Sequence, residues 1–198
     1  MERKLIEDKA RIIVDTAFLK DGVIEKMQAL ERFDRTTFIH SLNVAYICVQ
    51  IALLKELDSN LIDEIALGGV LHDVGKLHVP ANILFKKGCL TADEFSIVKT
   101  HPELGIRECK NLDLPQTALD MILHHHERVD GSGYPHGLSA NELSLPVRII
   151  NTVDSYDAMT SKRAYKKAYS RHTSLRLLDV DEGYTKIILE LLGQCEAI

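Results

Sequence analysis

The sequence has little of several features that mark particular classes of protein. It contains no tryptophan, and aromatic residues make up only 6% of its 198 residues. Its four cysteines form no Cys-x-x-Cys pair, which argues against a disulfide framework and against a cysteine-ligated zinc site. The net charge is -5, so a general electrostatic attraction to a nucleic acid polymer is not expected.

Long apolar runs are also missing. No run approaches the roughly 18 residues needed to span a bilayer. The first ten residues, MERKLIEDKA, are too charged to be a signal peptide. We therefore expect a cytoplasmic protein without a membrane segment.

The composition and length predict one ordinary globular domain. Hydrophobic residues make up 45% and charged residues 27% of the chain, which is typical of folded proteins. We assign residues 32–198 to this domain and residues 1–31 to an amphipathic helical arm. The arm is a candidate for a homodimer contact.

Helical periodicity dominates the domain and predicts an all-α fold. Apolar residues recur at spacings of three and four over residues 34–54 and 61–74. Residues 173–196 should form one or two further helices. Strand signals are weak throughout.

Two capping boxes predict further helix starts. Thr91 with Glu94 indicates a start near Ala92, and Ser139 with Glu142 indicates one near Ala140. Between them, residues 130–137 (DGSGYPHG) should form a sharply folded loop, because three glycines and a proline cannot continue a helix.

Histidine is the one residue type present in unexpected number. The chain has nine, three of them consecutive at positions 124–126. Residues three, four or seven apart share a helix face, so apolar neighbours at these offsets show which histidines point inward. His40 shares a stripe with Val44 and Ile47, and therefore points into the core. His72 and Asp73 continue two adjacent apolar stripes.

The same test separates the three consecutive histidines. His125 and His126 both follow Ile122, whereas His124 follows polar residues and should point outward. Asp154 continues an apolar stripe on a later helix. His101 precedes a proline at a helix junction, where periodicity does not indicate a direction.

A single inward histidine is more often a hydrogen-bonded core residue than a metal ligand. Five such histidines and two aspartates would nevertheless make a very polar core unless cations lie among them. We therefore predict a metal centre, and take His78, His124, His136 and His172 as solvent-facing residues.

The number of ligands indicates two ions. One ion would take His40, His72, Asp73 and Asp154, and the other would take His101, His125 and His126, with Asp73 bridging. Two such ions holding a hydroxide form a hydrolytic centre for phosphoryl groups. Nitrogen and carboxylate ligands suit iron, manganese or zinc, and the ligand set does not choose among them.

The order of these motifs resembles that of the HD-GYP family, a branch of the HD phosphohydrolases. The resemblance runs from about Thr36 to Tyr169. It includes His72-Asp73-Val74-Gly75-Lys76 and the string HHERVDGSGYP that begins at His125. An HD pair alone would be weak evidence, but this string in this order is highly specific.

The resemblance implies an all-helical HD domain with an iron or manganese centre that hydrolyses cyclic di-GMP. The product would be linear pGpG, with GMP as a further product. The seven residues above would be the metal ligands. Lys76 would lie near the reactive water and the scissile phosphate, Arg163 and Lys166 would bind substrate phosphates, and Tyr134 would form part of the pocket wall.

The sequence departs from the family pattern at three places. Members with three metals carry a glutamate where this chain has Thr36, so we expect two ions. The family's Arg-Pro-Tyr is Arg163-Ala164-Tyr165 here. Members usually carry an upstream sensory or receiver domain, for which residues 1–31 are too few.

Two other functions remain open from the sequence. The first is an HD hydrolase acting on another nucleotide. The second is a cyclic di-GMP-binding signalling scaffold with weak turnover.

Overall fold

The structure, a computed structural model, describes residues 2–161, 168–179, 186–192 and 194–195. Over these residues the chain is α-helical with no strand, apart from one isolated β-bridge between Asp130 and Ser139. This confirms the predicted all-α fold. The described helices are α1 (Glu2–Phe18), α2 (Val23–Phe33), α3 (Arg35–Leu54), α4 (Ser59–Leu71), a 3-10 helix (Val74–His78), α5 (Ala81–Leu84), α6 (Ala92–Val98), α7 (His101–Glu108), α8 (Gln116–His124), α9 (Leu145–Thr160), α10 (Arg171–Asp179) and α11 (Lys186–Leu192).

Helix α3 is the centre of the bundle and packs against α1, α2, α4 and α9. By length and composition alone it could cross a membrane, which the sequence prediction did not anticipate. In the fold, 72% of its most apolar 18-residue stretch is buried. That burial is typical of a core helix, and it places the functional residues of α3 in the interior.

The N-terminal helices belong to the same core. Ala10 and Val14 of α1, together with Met27 and Leu30 of α2, are buried in the cluster that also contains α3 and α4. The helices of residues 2–31 thus pack onto the remainder of the described chain. Their assignment as a unit distinct from residues 32–198 remains a prediction.

The two predicted capping boxes have different outcomes. At Thr91 and Glu94 both reciprocal hydrogen bonds form and α6 begins at Ala92, as predicted. At Ser139 the backbone N–H and the hydroxyl both donate to the Glu142 carboxylate, but the predicted helix start near Ala140 is wrong. This pair closes a turn instead, and α9 begins only at Leu145, with a proline in its first turn.

Gly75 allows the 3-10 helix to approach α7 closely. A Cβ atom at this position would lie 1.9 Å from the carbonyl oxygen of His101 and 2.4 Å from the backbone nitrogen of Gly105. Only glycine fits such a contact without moving a backbone. The approach brings the segment after α4 next to the first residue of α7.

Candidate metal centre

All seven predicted ligands meet in one place, although they come from five parts of the fold. Six of these residues form two groups, and within each group the ligand atoms lie within 4.8 Å of one another. The first group is His40, His72 and Asp73, and the second group is His101, His125 and His126. Asp154, on α9, lies beside both groups. Its Oδ1 is 2.9 Å from Nε2 of His40, and its Oδ2 is 3.6 Å from Nδ1 of His126.

Asp73 lies between the two groups and turns one carboxylate oxygen toward each. Its Oδ2 is 3.4 Å from Nε2 of His72 and 3.8 Å from Nε2 of His40. Its Oδ1 is 3.4 Å from Nε2 of His101 and 3.8 Å from Nε2 of His125. This is the geometry that a carboxylate shared by two cations requires.

Three of the histidines are oriented by main-chain carbonyls. His72, His101 and His125 each donate a hydrogen bond from Nδ1 to the carbonyl three residues earlier, at 2.8, 2.7 and 2.9 Å respectively. A neutral ring that donates from Nδ1 carries a lone pair on Nε2. All three Nε2 atoms point into the centre, and partners of this kind commonly fix metal-binding histidines.

The protein provides no hydrogen-bond partner for some of the polar atoms in the centre. Nε2 of His72 and Oδ1 of Asp73 are buried and have no hydrogen-bond partner. Nε2 of His101 lies 3.0 Å from Nε2 of His125, so in these tautomers two lone pairs face each other. Because such buried atoms are costly unless a ligand satisfies them, the residues present fit divalent cations.

The first group contains a carboxylate that the sequence analysis missed. Asp157 is buried on α9, and its Oδ2 accepts a hydrogen bond from Nδ1 of His40 at 2.6 Å. Burial alone would lower the pKa of His40, but hydrogen bonds to Asp154 and Asp157 raise it to about 9. The position of Asp157, three residues after Asp154 and on the same helix face, was the available signal.

The second group is electrostatically different. Burial lowers the pKa of His101 to about 3, and it lowers the pKa of His126 to about 4. Burial also depresses the pKa of His125, with the neighbouring histidines adding to the effect. These three rings are therefore neutral at pH 7 and available as ligands.

Lys76 is the cation nearest to the shared carboxylate. Its Nζ donates a hydrogen bond to Oδ2 of Asp73 at 2.6 Å. Burial would raise the pKa of Asp73, but the charge of Lys76 holds it well below its usual range. The predicted phosphate-binding residues Arg163 and Lys166 lie outside the described residues.

Tyr134 forms one wall of a cavity beside the second group. Its ring stacks on His126, with centroids 4.7 Å apart and planes 28° apart. The cavity measures about 240 Å³ and is also lined by His125, Arg128 and Ser155. A ligand in it would therefore contact both the loop and the histidines.

Glu127 is a second residue whose role the sequence analysis missed. It is buried, and its carboxylate accepts backbone hydrogen bonds from His136, Gly137 and Leu138 at 2.6, 3.1 and 2.9 Å. These bonds fix the loop that carries Tyr134. Glu127 lies inside the string that carried the resemblance, but nothing in the helical pattern indicated its function.

The histidines predicted to face solvent are not in either group. His124 contacts His136 at 3.2 Å between ring nitrogens, and His78 pairs with Glu108 at 2.6 Å. His172 is exposed. The ring of His124 thus lies outside both groups, whereas the rings of His125 and His126 lie in the second group, which is the division that the helix faces predicted.

Comparison with known proteins agrees with this fold. The family model described as "HD domain" matches residues 7–186. An HDG"Y"P protein of Bdellovibrio bacteriovorus has the same fold, with a TM-score of 0.66 and 16% sequence identity, over 96% of this chain and 70% of that protein.

Three curated relatives are phosphodiesterases by name. A cyclic di-GMP phosphodiesterase of Pseudomonas aeruginosa is 41% identical over 158 residues, which are 78% of this chain and 38% of the relative. A cyclic di-GMP phosphodiesterase of Thermotoga maritima is 38% identical over 179 residues, 88% of this chain and 49% of the relative. A 3'3'-cGAMP-specific phosphodiesterase of Vibrio cholerae is 31% identical over 187 residues, 90% of this chain and 43% of the relative.

The chain thus spans between about two fifths and one half of the length of these relatives. The family match, by contrast, covers most of the chain and includes both histidine groups. The chain belongs to the HD domain family, and its motifs resemble those of the HD-GYP type.

Proposed function

We propose that the chain is a metal-dependent phosphodiesterase that hydrolyses cyclic di-GMP to linear pGpG. The observation that carries this proposal is the position of Asp73, which turns one oxygen toward each of two histidine groups. The names of the Pseudomonas and Thermotoga relatives support cyclic di-GMP as the substrate.

The residues have separate roles in this proposal. His40, His72, Asp73 and Asp154 hold one ion, and His101, His125 and His126 hold the other together with Asp73. When bound, such a pair of ions supplies a nucleophile at neutral pH and stabilises charge on the phosphoryl oxygens.

Cationic side chains complete the reaction site. Lys76 uses one of its three donors on Asp73. In this proposal a second donor stabilises the oxygen that leaves phosphorus. Arg163 and Lys166 bind the substrate phosphates. Alanine at both positions should preserve metal content and lower kcat/KM by roughly tenfold or more, since each lost charge-assisted bond is worth about 1.5 to 3 kcal/mol.

We infer two ions per chain. Thr36, where a third ion would need an anionic ligand, is exposed in the first turn of α3, and its backbone N–H donates to Asp34. Iron is the first choice for both positions, with manganese or zinc as alternatives. Metal analysis after anaerobic purification should give two ions per chain, and three fully occupied ions would contradict this.

The activity test uses the same sample. Cyclic di-GMP is supplied to the protein loaded with iron or manganese, and products are separated by chromatography. Formation of pGpG supports the proposal, and the same trace shows whether GMP follows. Absence of turnover in a protein containing two ions would refute it and favour a binding scaffold.

A different cyclic dinucleotide is the second candidate substrate. The Vibrio relative, which aligns over 90% of this chain, is named as specific for 3'3'-cGAMP. A panel of cyclic di-GMP, 3'3'-cGAMP and mononucleotides, compared by kcat/KM, separates the candidates. Cyclic di-GMP should rank first.

We also propose that α1 pairs with α1 of a second copy. Leu5, Ile12 and Leu19 are spaced by seven and are 54%, 65% and 63% exposed. Leu5 and Ile12 lie on the side of α1 opposite its buried face, and Leu19 directly follows the helix. Lys9 and Asp8 flank this stripe on opposite sides, so parallel pairing would place opposite charges together.

The homodimer can be tested through the middle of the stripe. Ile12→Asp should convert a dimer into a monomer in light scattering without changing metal content, because Ile12 is exposed. A wild-type monomer at assay concentration would refute the pairing. A cytoplasmic location without membrane attachment remains part of the proposal.

A further inference from the structure

Helix α6 and the C-cap residue that follows it carry two side chains that the proposed reaction does not use. The helix has seven residues, and none of them is buried. Its aromatic residue, Phe95, is 43% exposed. An exposed aromatic on a helix that contributes nothing to the core needs another explanation.

Phe95 and Lys99 are four residues apart and face the loop that carries Tyr134. The Phe95 and Tyr134 rings meet edge to face, with centroids 6.4 Å apart. Lys99 Nζ lies 4.8 Å from the Phe95 centroid and 5.3 Å from the Tyr134 centroid. The ammonium group is thus held over two aromatic rings, which favours a defined position.

Lys99 keeps its charge available for a ligand. Across the described ranges it makes no ion pair with a carboxylate. It lines the same cavity as His125 and His126, at the side beyond Tyr134. A ligand that reaches the histidines from this cavity would therefore also meet a cation and an exposed aromatic ring.

These features match the part of a cyclic dinucleotide that is not cleaved. We propose that Phe95 and Lys99 form a second subsite, in which Lys99 binds the uncleaved phosphate and Phe95 stacks on a purine. A lysine ammonium is a point charge suited to phosphate, and aromatic side chains stack on bases of any sequence. This inference rests on the proposed function, because it assigns a place to the second half of that substrate.

The test compares a substrate that has the second half with one that lacks it. Cyclic di-GMP has two phosphates and two purines, whereas bis(p-nitrophenyl) phosphate has a single phosphate and no purine. Lys99→Met, which removes the charge and keeps an apolar stem, should lower kcat/KM for cyclic di-GMP by roughly tenfold or more. The loss should be in KM, with kcat and the rate on the small diester nearly unchanged.

Matched variants separate a specific effect from general damage. Lys99→Arg should retain most of the cyclic di-GMP rate, because it retains the charge. Phe95→Leu, which keeps apolar volume but removes the ring, should raise KM by roughly threefold or more. Lys110→Met serves as the control, since Lys110 is exposed and outside the cavity.

If Lys99→Met lowered kcat/KM equally for both substrates, or for neither, the proposed subsite would be wrong. Calorimetric titration with a non-hydrolysable phosphorothioate analogue should show the same weakening of affinity in Lys99→Met. Wild-type protein that hydrolyses the small diester but no cyclic dinucleotide would refute the proposed function, and the subsite with it. Wild-type turnover with unchanged selectivity in Lys99→Met would refute the subsite alone.

Discussion

The two histidine groups differ in how their charge is balanced. The first group has carboxylates on every side: Asp73 and Asp154 face His40 from the centre, and Asp157 supports it from behind. The second group is made of histidines, with Asp73 as its close carboxylate and Asp154 at the edge.

This difference determines what each group can do without metal. A protonated His40 neutralises part of the first group, so a proton can occupy the place of an ion. In the second group the rings are neutral, and burial opposes protonation. Without metal, a proton on His40 can therefore balance charge in the first group, whereas burial opposes protonation of the second group.

Asp73→Ala should have the largest effect, because it removes the carboxylate that both groups share. We expect loss of both ions and of all activity, measured by metal analysis and by turnover of cyclic di-GMP. The buried histidines would then lose their common anionic partner. Retention of either ion at full occupancy would show that Asp73 is not shared.

The metal-free protein should reveal the asymmetry through the pH dependence of its stability. His40 has a pKa of about 9 in the folded chain against an ordinary 6.5, so the folded state binds more protons between these values. Its contribution, up to about 3 kcal/mol, is fully present below pH 6.5 and is lost as the pH rises through about 9.

The second group should change the pH dependence of stability in the opposite direction. The pKa of His101 is lowered to about 3, so the unfolded chain binds more protons and stability falls as the pH drops below 6.5. Chemical denaturation from pH 4 to 10, with His40→Gln as the reference, measures both the loss of stability at high pH and the loss at low pH. A difference between wild type and this variant that does not change from pH 6.5 to 9 would contradict the assignment to His40.

Asp157→Asn should weaken metal binding by the first group more than metal binding by the second. The variant keeps the shape of the side chain but removes the charge that orients His40. Affinity of the first site should fall roughly tenfold or more, as is common when the partner of a metal-binding histidine is changed. Titration against a competing chelator resolves the two sites, and an equal fall in both would argue against this selective support.

His124→Ala should have the smallest effect. Its ring contacts His136 and lies outside both groups, so metal content should stay near two ions and the free energy of unfolding should change by less than roughly 0.5 kcal/mol. His125→Ala and His126→Ala provide the contrast, because each should deplete metal. Equal depletion by all three variants would contradict the structural distinction among them.

The sequence predicted the residues that meet at the centre better than the residues that support them. His40 and Asp154 were found because they lie on apolar stripes of long helices, where face direction follows from spacing. His101 had no readable direction, because it lies at a junction between α6 and α7 and is placed by tertiary contacts. Asp157 and Glu127 escaped notice because their partners are far away in the chain.

The two capping patterns in the sequence predicted one helix start correctly and one wrongly, for a physical reason. Thr91 and Ser139 offer the same capping pattern, yet only the first is followed by a helix. The hydrogen bonds of a capping box satisfy backbone donors equally well in a turn. Whether a helix follows depends on the residues beyond it, and here α9 begins only at Leu145, with Pro146 in its first turn.

Gly75 shows how the distance between two reactive centres can be set by a residue without a side chain. Its contact with the backbone of His101 determines how near the segment after α4 comes to α7, and hence how near one histidine group comes to the other. The spacing of the two groups is therefore a property of main-chain packing. A substitution at this position would change the distance between the two histidine groups while leaving the histidines and aspartates of the centre unchanged.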